Sequence, residues 1–238
     1  MQRTGSISRL TIAIVAVSIG VVGCGSSPSS KNAGGTSAAS NTSAATSSAK
    51  AQSKVAPRVF PAGPNPTIAS YIQQSGITET PVHRGDPGAP TINLPIPDGW
   101  ADAGSDTPAT AYWAIIDNGP EAAAYTPSIV ATVSKLVGDV DPQKLIDLAP
   151  GELKNLPGFK PMGDGTTDNL ANFPAYEFGG TWTQDGKTKA IAQKVVVIAR
   201  NEGDPVYLMR LSADCLDNQV DKALPVTIDI DEKTTITP

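Results

Sequence analysis

From residue 60 onward the apolar positions fall into two periods, one helical and one extended, separated by Pro- and Gly-rich turns. Asn65-Pro66-Thr67 reads as a helix start, with a capping residue followed by Pro, and Gly76 reads as its stop. The spacing predicts a helix over residues 66–75 with Ile68, Tyr71, Ile72 and Ser75 on one face. Residues 77–83 alternate weakly, as a strand. Residues 91–96 form another, before the turn Pro97-Asp98-Gly99-Trp100, and the prolines place it at a sheet edge or end it early. Residues 111–116 and 128–137 are rich in aromatic and β-branched side chains and read as strands. Asp141-Pro142 opens a second helix, with Leu145, Leu148, Ala149, Leu153 and Leu156 on its buried side. Pro150-Gly151 kinks or splits it.

The clearest pattern lies between Phe173 and Ala213. A strand over 173–184 meets Asp185-Gly186, a two-residue turn that needs φ > 0 at both positions. The return strand runs over 187–200. Its Val195-Val196-Val197-Ile198 run is apolar on both faces, as in a central strand. A third strand covers 206–213 and completes an antiparallel meander. The C-terminus supports two readings. Leu216, Val220, Leu224 and Ile228 recur every four residues, which is helical. Val226, Ile228 and Ile230 alternate, which is strand-like. Helix is the preferred reading, with Pro225 starting or ending a segment. The expected fold class is α+β, an antiparallel β-sheet flanked by helices.

The N-terminus carries a different signal. Arg3 and Arg9 precede an apolar run from Leu10 to Val22, which is too short to span a bilayer. Val21-Val22-Gly23-Cys24 then reads as a lipobox. It predicts a lipoprotein signal peptide over 1–23, cleavage between Gly23 and Cys24, and diacylation of the Cys24 thiol. From Gly25 to Lys50 there are nine Ser, three Thr, six Ala and three Gly, with no aromatic, Leu, Ile or Val. Such a segment buries too little apolar surface to offset its ordering entropy. Residues 24–58 are therefore expected to be an acylated cysteine and a flexible tether, with a mean reach on the order of 30 Å. Residues 59–238 are expected to form one domain.

Charge divides along the same boundary. The tether has Lys31, Lys50, Lys54 and Arg58 and no acid. From Phe60 onward 12 basic residues face 23 acidic ones, a net charge of −11. That balance argues against nucleic acid as a partner. The tether's lysines either keep it soluble or add attraction to an anionic leaflet. Acylation of Cys24 would leave Cys215 alone, so the domain core is expected to carry stability without a disulfide.

Catalytic signals are sparse. His83, the one histidine, lies in the turn-rich His83-Arg84-Gly85-Asp86-Pro87-Gly88, and there is no Gly-x-Ser-x-Gly elbow. One His and one Cys do not make a zinc site. Neither Asp164/Asp168 nor Asp229/Asp231/Glu232 has the alternating ligand spacing of a calcium loop. No cofactor is expected. Arg84-Gly85-Asp86 spells the integrin-binding tripeptide, a match short enough to arise by chance. Asp214 and Asp217 flank Cys215, which favours a buried structural thiol over a reactive one. Most of the few aromatic rings are expected in the core. Trp113 and Trp182 are the candidate ligand contacts, since each sits in a strand with small or polar neighbours.

Taken in order, the lipobox, the Ser/Ala-rich tether, Asn65-Pro66-Thr67-Ile68, the segment Ile92-Asn93-Leu94-Pro95-Ile96-Pro97-Asp98-Gly99-Trp100 and the terminal Lys233-Thr234-Thr235-Ile236-Thr237-Pro238 resemble the LpqN/LpqT lipoproteins of mycolic-acid bacteria. The resemblance implies a fold like that of PsbP and Mog1. It also implies a non-enzymatic role in the cell envelope, such as binding glycolipids or the transporters that export them. Of its functional residues only Cys24 carries over. The leading expectation is an extracytoplasmic lipoprotein, held to the cell membrane by diacylglyceryl-Cys24, that binds a lipid, a glycolipid or an envelope transport protein. The alternatives are a surface lipoprotein read by host receptors and, behind it, an envelope hydrolase.

Overall fold

The computed structural model describes residues 53–123, 125–201 and 203–238. In chain order they form α1 (Ile68–Gln74), β1 (Thr78–Val82), β2 (Thr91–Asn93), β3 (Trp100–Asp102), β4 (Trp113–Asp117), β5 (Ser128–Val137), α2 (Pro142–Leu148), α3 (Gly151–Lys154), β6 (Lys160–Pro161), β7 (Thr166–Leu170), β8 (Phe173–Gln184), β9 (Lys187–Ile198), β10 (Val206–Leu216), α4 (Val220–Lys233) and β11 (Thr235–Thr237). The fold class is α+β. One antiparallel sheet has the order β3-β4-β5-β10-β9-β8-β6, with β1 also on β5 and β7 also on β8. β2 and β11 pair apart from it, joining Asn93 to Thr235 and Thr91 to Thr237.

The meander forms where the pattern placed it. Asp185 and Gly186 have φ of 51° and 71°, and the register runs from Gln184↔Lys187 to Ala175↔Val196. A second tight turn joins β7 to β8 through Ala171 and Asn172, both left-handed at φ 48° and 71°. Ala gives no sequence signal for that conformation, so β7 escapes a local reading. β10 extends to Leu216, beyond the expected end, because Cys215 and Leu216 still pair with Ala190 and Lys189.

The helices start for the expected reasons at slightly shifted places. The N-cap of α1 is Thr67: its hydroxyl accepts from Ser70 N at 3.0 Å, and Ser70 Oγ accepts from Thr67 N at 2.9 Å. Asn65 instead donates through Nδ2 to Asn155 Oδ1 at 2.9 Å. Ser75, expected on the buried face of α1, is exposed, since α1 stops at Gln74. Asp141 caps α2 by accepting from Gln143 N and Lys144 N. Pro150-Gly151 splits the second helix into α2 and α3.

Two cores lie on the two faces of the sheet. On one, Val196, Met209 and Leu211 pack with Val226 and Ile230 of α4. On the other, Val195, Val197 and Leu208 pack with Ile68 and Tyr71 of α1 and Leu145 of α2. Residues 53–58 were expected in the tether but belong to the packed domain. Val55 is buried with Ala103, Ala111, Ala114, Ile116 and Val130. Arg58 Nη2 donates to Ser128 O at 2.9 Å and to Ser212 O at 3.1 Å. One apolar side chain and one guanidinium seat this strap across β5 and β10, a contact invisible to the composition of a Ser/Ala-rich run. No helix among the described residues is long and apolar enough to cross a membrane.

Candidate functional site

The most apolar hollows among the described residues lie between α4 and the sheet; a roomier and more polar one runs along the loop from Arg84 to Leu94. The floor beneath α4 is made of small side chains that face the helix from the two long central strands: Ala190 and Ala192 on β9, and Ala213 on β10. Alternation along β9 brings Ala190, Ala192 and Lys194 to the same face. Small side chains there leave space unfilled between α4 and part of the sheet. Two shallow hollows result, one beside Ile230 and one beside Leu224, both open to solvent. They share Glu177, Ala192, Ala213 and Thr227, so they form one groove.

One end of the groove is ionic. Lys194, 6% exposed, places Nζ 3.0 Å from Glu177 Oε2 and also pairs with the Asp231 carboxylate of α4. Burial works against the Lys194 charge, but Glu177 and Asp231 outweigh it and hold the ammonium above its ordinary range. Burial pushes the Asp231 carboxyl up, against the pull of Lys194. Asp231 and Glu177 thus tie α4 and β8 to one buried cation. Beyond that end, the lining is mainly apolar, with Met162, Thr227 and Cys215 among the aliphatic side chains.

Cys215 stands at the other end of the groove, and burial, followed by Asp214 and Asp217, pushes its thiol up to about 12. Such a thiol is protonated at neutral pH and makes a poor nucleophile or metal ligand. Among the described residues no group of three His, Cys, Asp or Glu side chains is placed to hold a metal.

Trp113 is 4% exposed, in the core cluster with Ile115, Ile129 and Tyr112. Trp182, 9% exposed, packs beside Leu153 and Leu156 on the α3 side of the sheet. Its indole lies 5.2 Å from Lys189 Nζ, and its buried Nε1 has no hydrogen-bond partner. Lys189 also pairs with Asp214 at 3.4 Å and donates to Gln184 Oε1 at 3.0 Å, while the Tyr125 hydroxyl donates to Asp214. Burial and then Asp214 push that phenol up. This polar cluster joins β8, β9 and β10 beneath the strap, away from the groove. Gly23 and Cys24 lie outside the described residues.

His83 is exposed, with Nδ1 3.8 Å from Asp86 and Nε2 3.1 Å from the Ala109 carbonyl oxygen. Arg84 lies over the Tyr112 ring at 5.8 Å and Asp86 accepts from His83 N at 2.8 Å, so the tripeptide is engaged by Tyr112 on one side and by its own loop on the other. Sequence reasoning weighed Asp231 and Cys215 for other chemistry and did not single out Glu177, Ala190, Ala192, Lys194 or Ala213. The available signal was the pair of alanines two apart on a central strand, opposite a helix with more apolar positions than one face needs.

Residues 64–237 match the family described as "Probable lipoprotein LpqN". Over 177 residues the chain is 48% identical to Lipoprotein LpqN of Mycobacterium tuberculosis, covering 74% of this chain and 76% of that one. The crystal structure described as LpqN involved in cell envelope biogenesis of Mycobacterium tuberculosis aligns with a TM-score of 0.68 at 46% identity. That alignment covers 74% of this chain and 100% of the other.

Proposed function

The chain belongs to the LpqN lipoprotein family, and from that premise we propose that it is a non-enzymatic envelope lipoprotein whose domain takes the apolar chain of a lipid or glycolipid into the groove beside α4. The observation that carries this reading is the groove itself: an aliphatic floor of Ala190, Ala192 and Ala213 that ends at the Lys194–Glu177–Asp231 cluster. Apolar chains gain about 0.8 kcal/mol per methylene removed from water, and the polar end offers partners for a headgroup. A role in envelope biogenesis, as described for the Mycobacterium tuberculosis relative, fits such a ligand.

Diacylation of Cys24 would hold the domain at the membrane and raise the local concentration of lipids and of envelope transport proteins. Weak binding then suffices. The acidity of the domain disfavours nucleic acid. The test is native mass spectrometry of residues 50–238, which keep the strap, purified gently from a mycolate-bearing host. A stoichiometric lipid mass that a defined glycolipid displaces supports the reading. A clean apo mass that binds no member of a glycolipid panel overturns it.

A further inference from the structure

Helix α4 carries two apolar faces where a surface helix needs one. Ala223, Val226 and Ile230 are buried on the sheet. At about 100° per residue, Val220, Leu224 and Ile228 form a second stripe roughly a third of a turn away. Leu224 is 47% exposed and Ile228 50%, and Met162, 46% exposed, borders the same groove from the other side. Val220 packs beside Ala190 and Cys215, so Leu224 and Ile228 are the part of this four-residue repeat on α4 that the fold leaves uncovered. Burying it elsewhere is its evident use.

Charge selects what can cover it. From Asp217 to Lys233 there are five acidic residues and two basic ones, a net charge of −3. Asp221 and Glu232 are exposed on the outer flank of the stripe, and Glu177 and Asp231 border the groove on the inner flank. The charge of Lys194 is already engaged by those last two acids. An anionic leaflet meets repulsion here. A second copy docked isologously would set the same acids against each other. An amphipathic helix with Lys or Arg beside its apolar ridge meets both the stripe and its rim. We propose that the Leu224–Ile228 stripe of α4, with Met162, is the docking surface for a basic amphipathic helix of a partner protein. The inference goes beyond the lipid reading and stands on α4 whether or not the groove holds a ligand.

The test uses the unacylated chain from residue 24 onward and fluorescence anisotropy with labelled model helices of roughly 18 residues, long enough to be helical when bound. One is an amphipathic Leu/Lys helix, one its Leu/Glu counterpart, and one a scrambled Leu/Lys sequence without an apolar side. The Leu/Lys helix is expected to bind best. Leu224→Ser with Ile228→Ser is expected to weaken it about tenfold or more, since two half-exposed side chains lose their contacts. Val137→Ser, at another exposed apolar position, is expected to leave binding unchanged. Should the double variant fold poorly, Asp221→Lys with Glu232→Lys leaves the stripe intact and is expected to shift preference toward the Leu/Glu helix. Equal binding of the scrambled or Leu/Glu peptide to the unaltered chain overturns the proposal, as does loss-free binding by the Leu224/Ile228 variant. Capture by anionic phosphatidylglycerol vesicles through the stripe overturns it too, and so does a dimer that the same variant dissolves.

Discussion

Cys215 is 4% exposed between β9 and α4, and its thiol holds its proton up to about pH 12 against an ordinary value of 9.0. The consequence for stability has a definite sign. Below pH 9 the thiol is protonated in both folded and unfolded chains, and its contribution is fully present. Above that, the unfolded thiol ionises while the folded one does not. Stability is then lost at about 1.4 kcal/mol per pH unit as pH rises toward the folded value. Urea unfolding of the native chain and of Cys215→Ala at pH 8.5 and 10.5 checks this. The native chain is expected to lose about 2 kcal/mol more than the variant between the two, and parallel losses would contradict it. Single residues were unevenly legible. Asp185-Gly186 announced its turn because only a few residue pairs tolerate two positive φ values. Ala171-Asn172 adopts the same geometry without such a signal. The rings of Trp113 and Trp182 sit in packed protein because aromatics fill a core that has few of them, whatever their strand neighbours.

Pro150-Gly151 shows how an element can be read correctly for only part of its reason. The dipeptide marks a break between α2 and α3, and the break is there. Gly151, however, is required by tertiary contact: a Cβ on it would stand 1.9 Å from the carbonyl oxygen of Pro66. Backbone meets backbone there, so no rotamer change relieves the clash. Gly151→Ala is expected to destabilise the domain by about 1–3 kcal/mol or more, read as a lowered Tm in a thermal melt. An unchanged melt would show that α1 and α3 do not approach as described. In α4 the two apolar stripes look alike along the chain, and only the sheet decides which is buried. β2 and β11 pair across residues 93 and 235, and nothing local in either segment names its partner.

For the whole molecule, fold class and the central meander were legible because they follow from alternation over long strands. The site was not, because its walls come together from residues 162, 177, 190–194, 213 and 220–231. The domain boundary shifted for a similar reason. Val55 and Arg58 sit in a polar stretch, yet they seat the strap on β5 and β10. The proposed acyl anchor belongs to this scale too. Cys24→Ala is expected to move the protein from the membrane fraction to the soluble one. Sedimentation of that variant with membranes at high salt would contradict acyl anchoring.

The central claim, that the groove beside α4 receives an apolar chain, is tested most directly by photo-crosslinking. A glycolipid carrying a diazirine in its acyl chain would be bound to the protein, irradiated, and the attachment sites mapped by peptide mass spectrometry. The account predicts adducts on residues that border the groove, Ala192, Ala213, Leu224 and Thr227 foremost, lost in competition with unlabelled lipid. Competable adducts concentrated instead in the loop from His83 to Ala89 or on the strap from Ser53 to Ala62 would place the ligand elsewhere and contradict it.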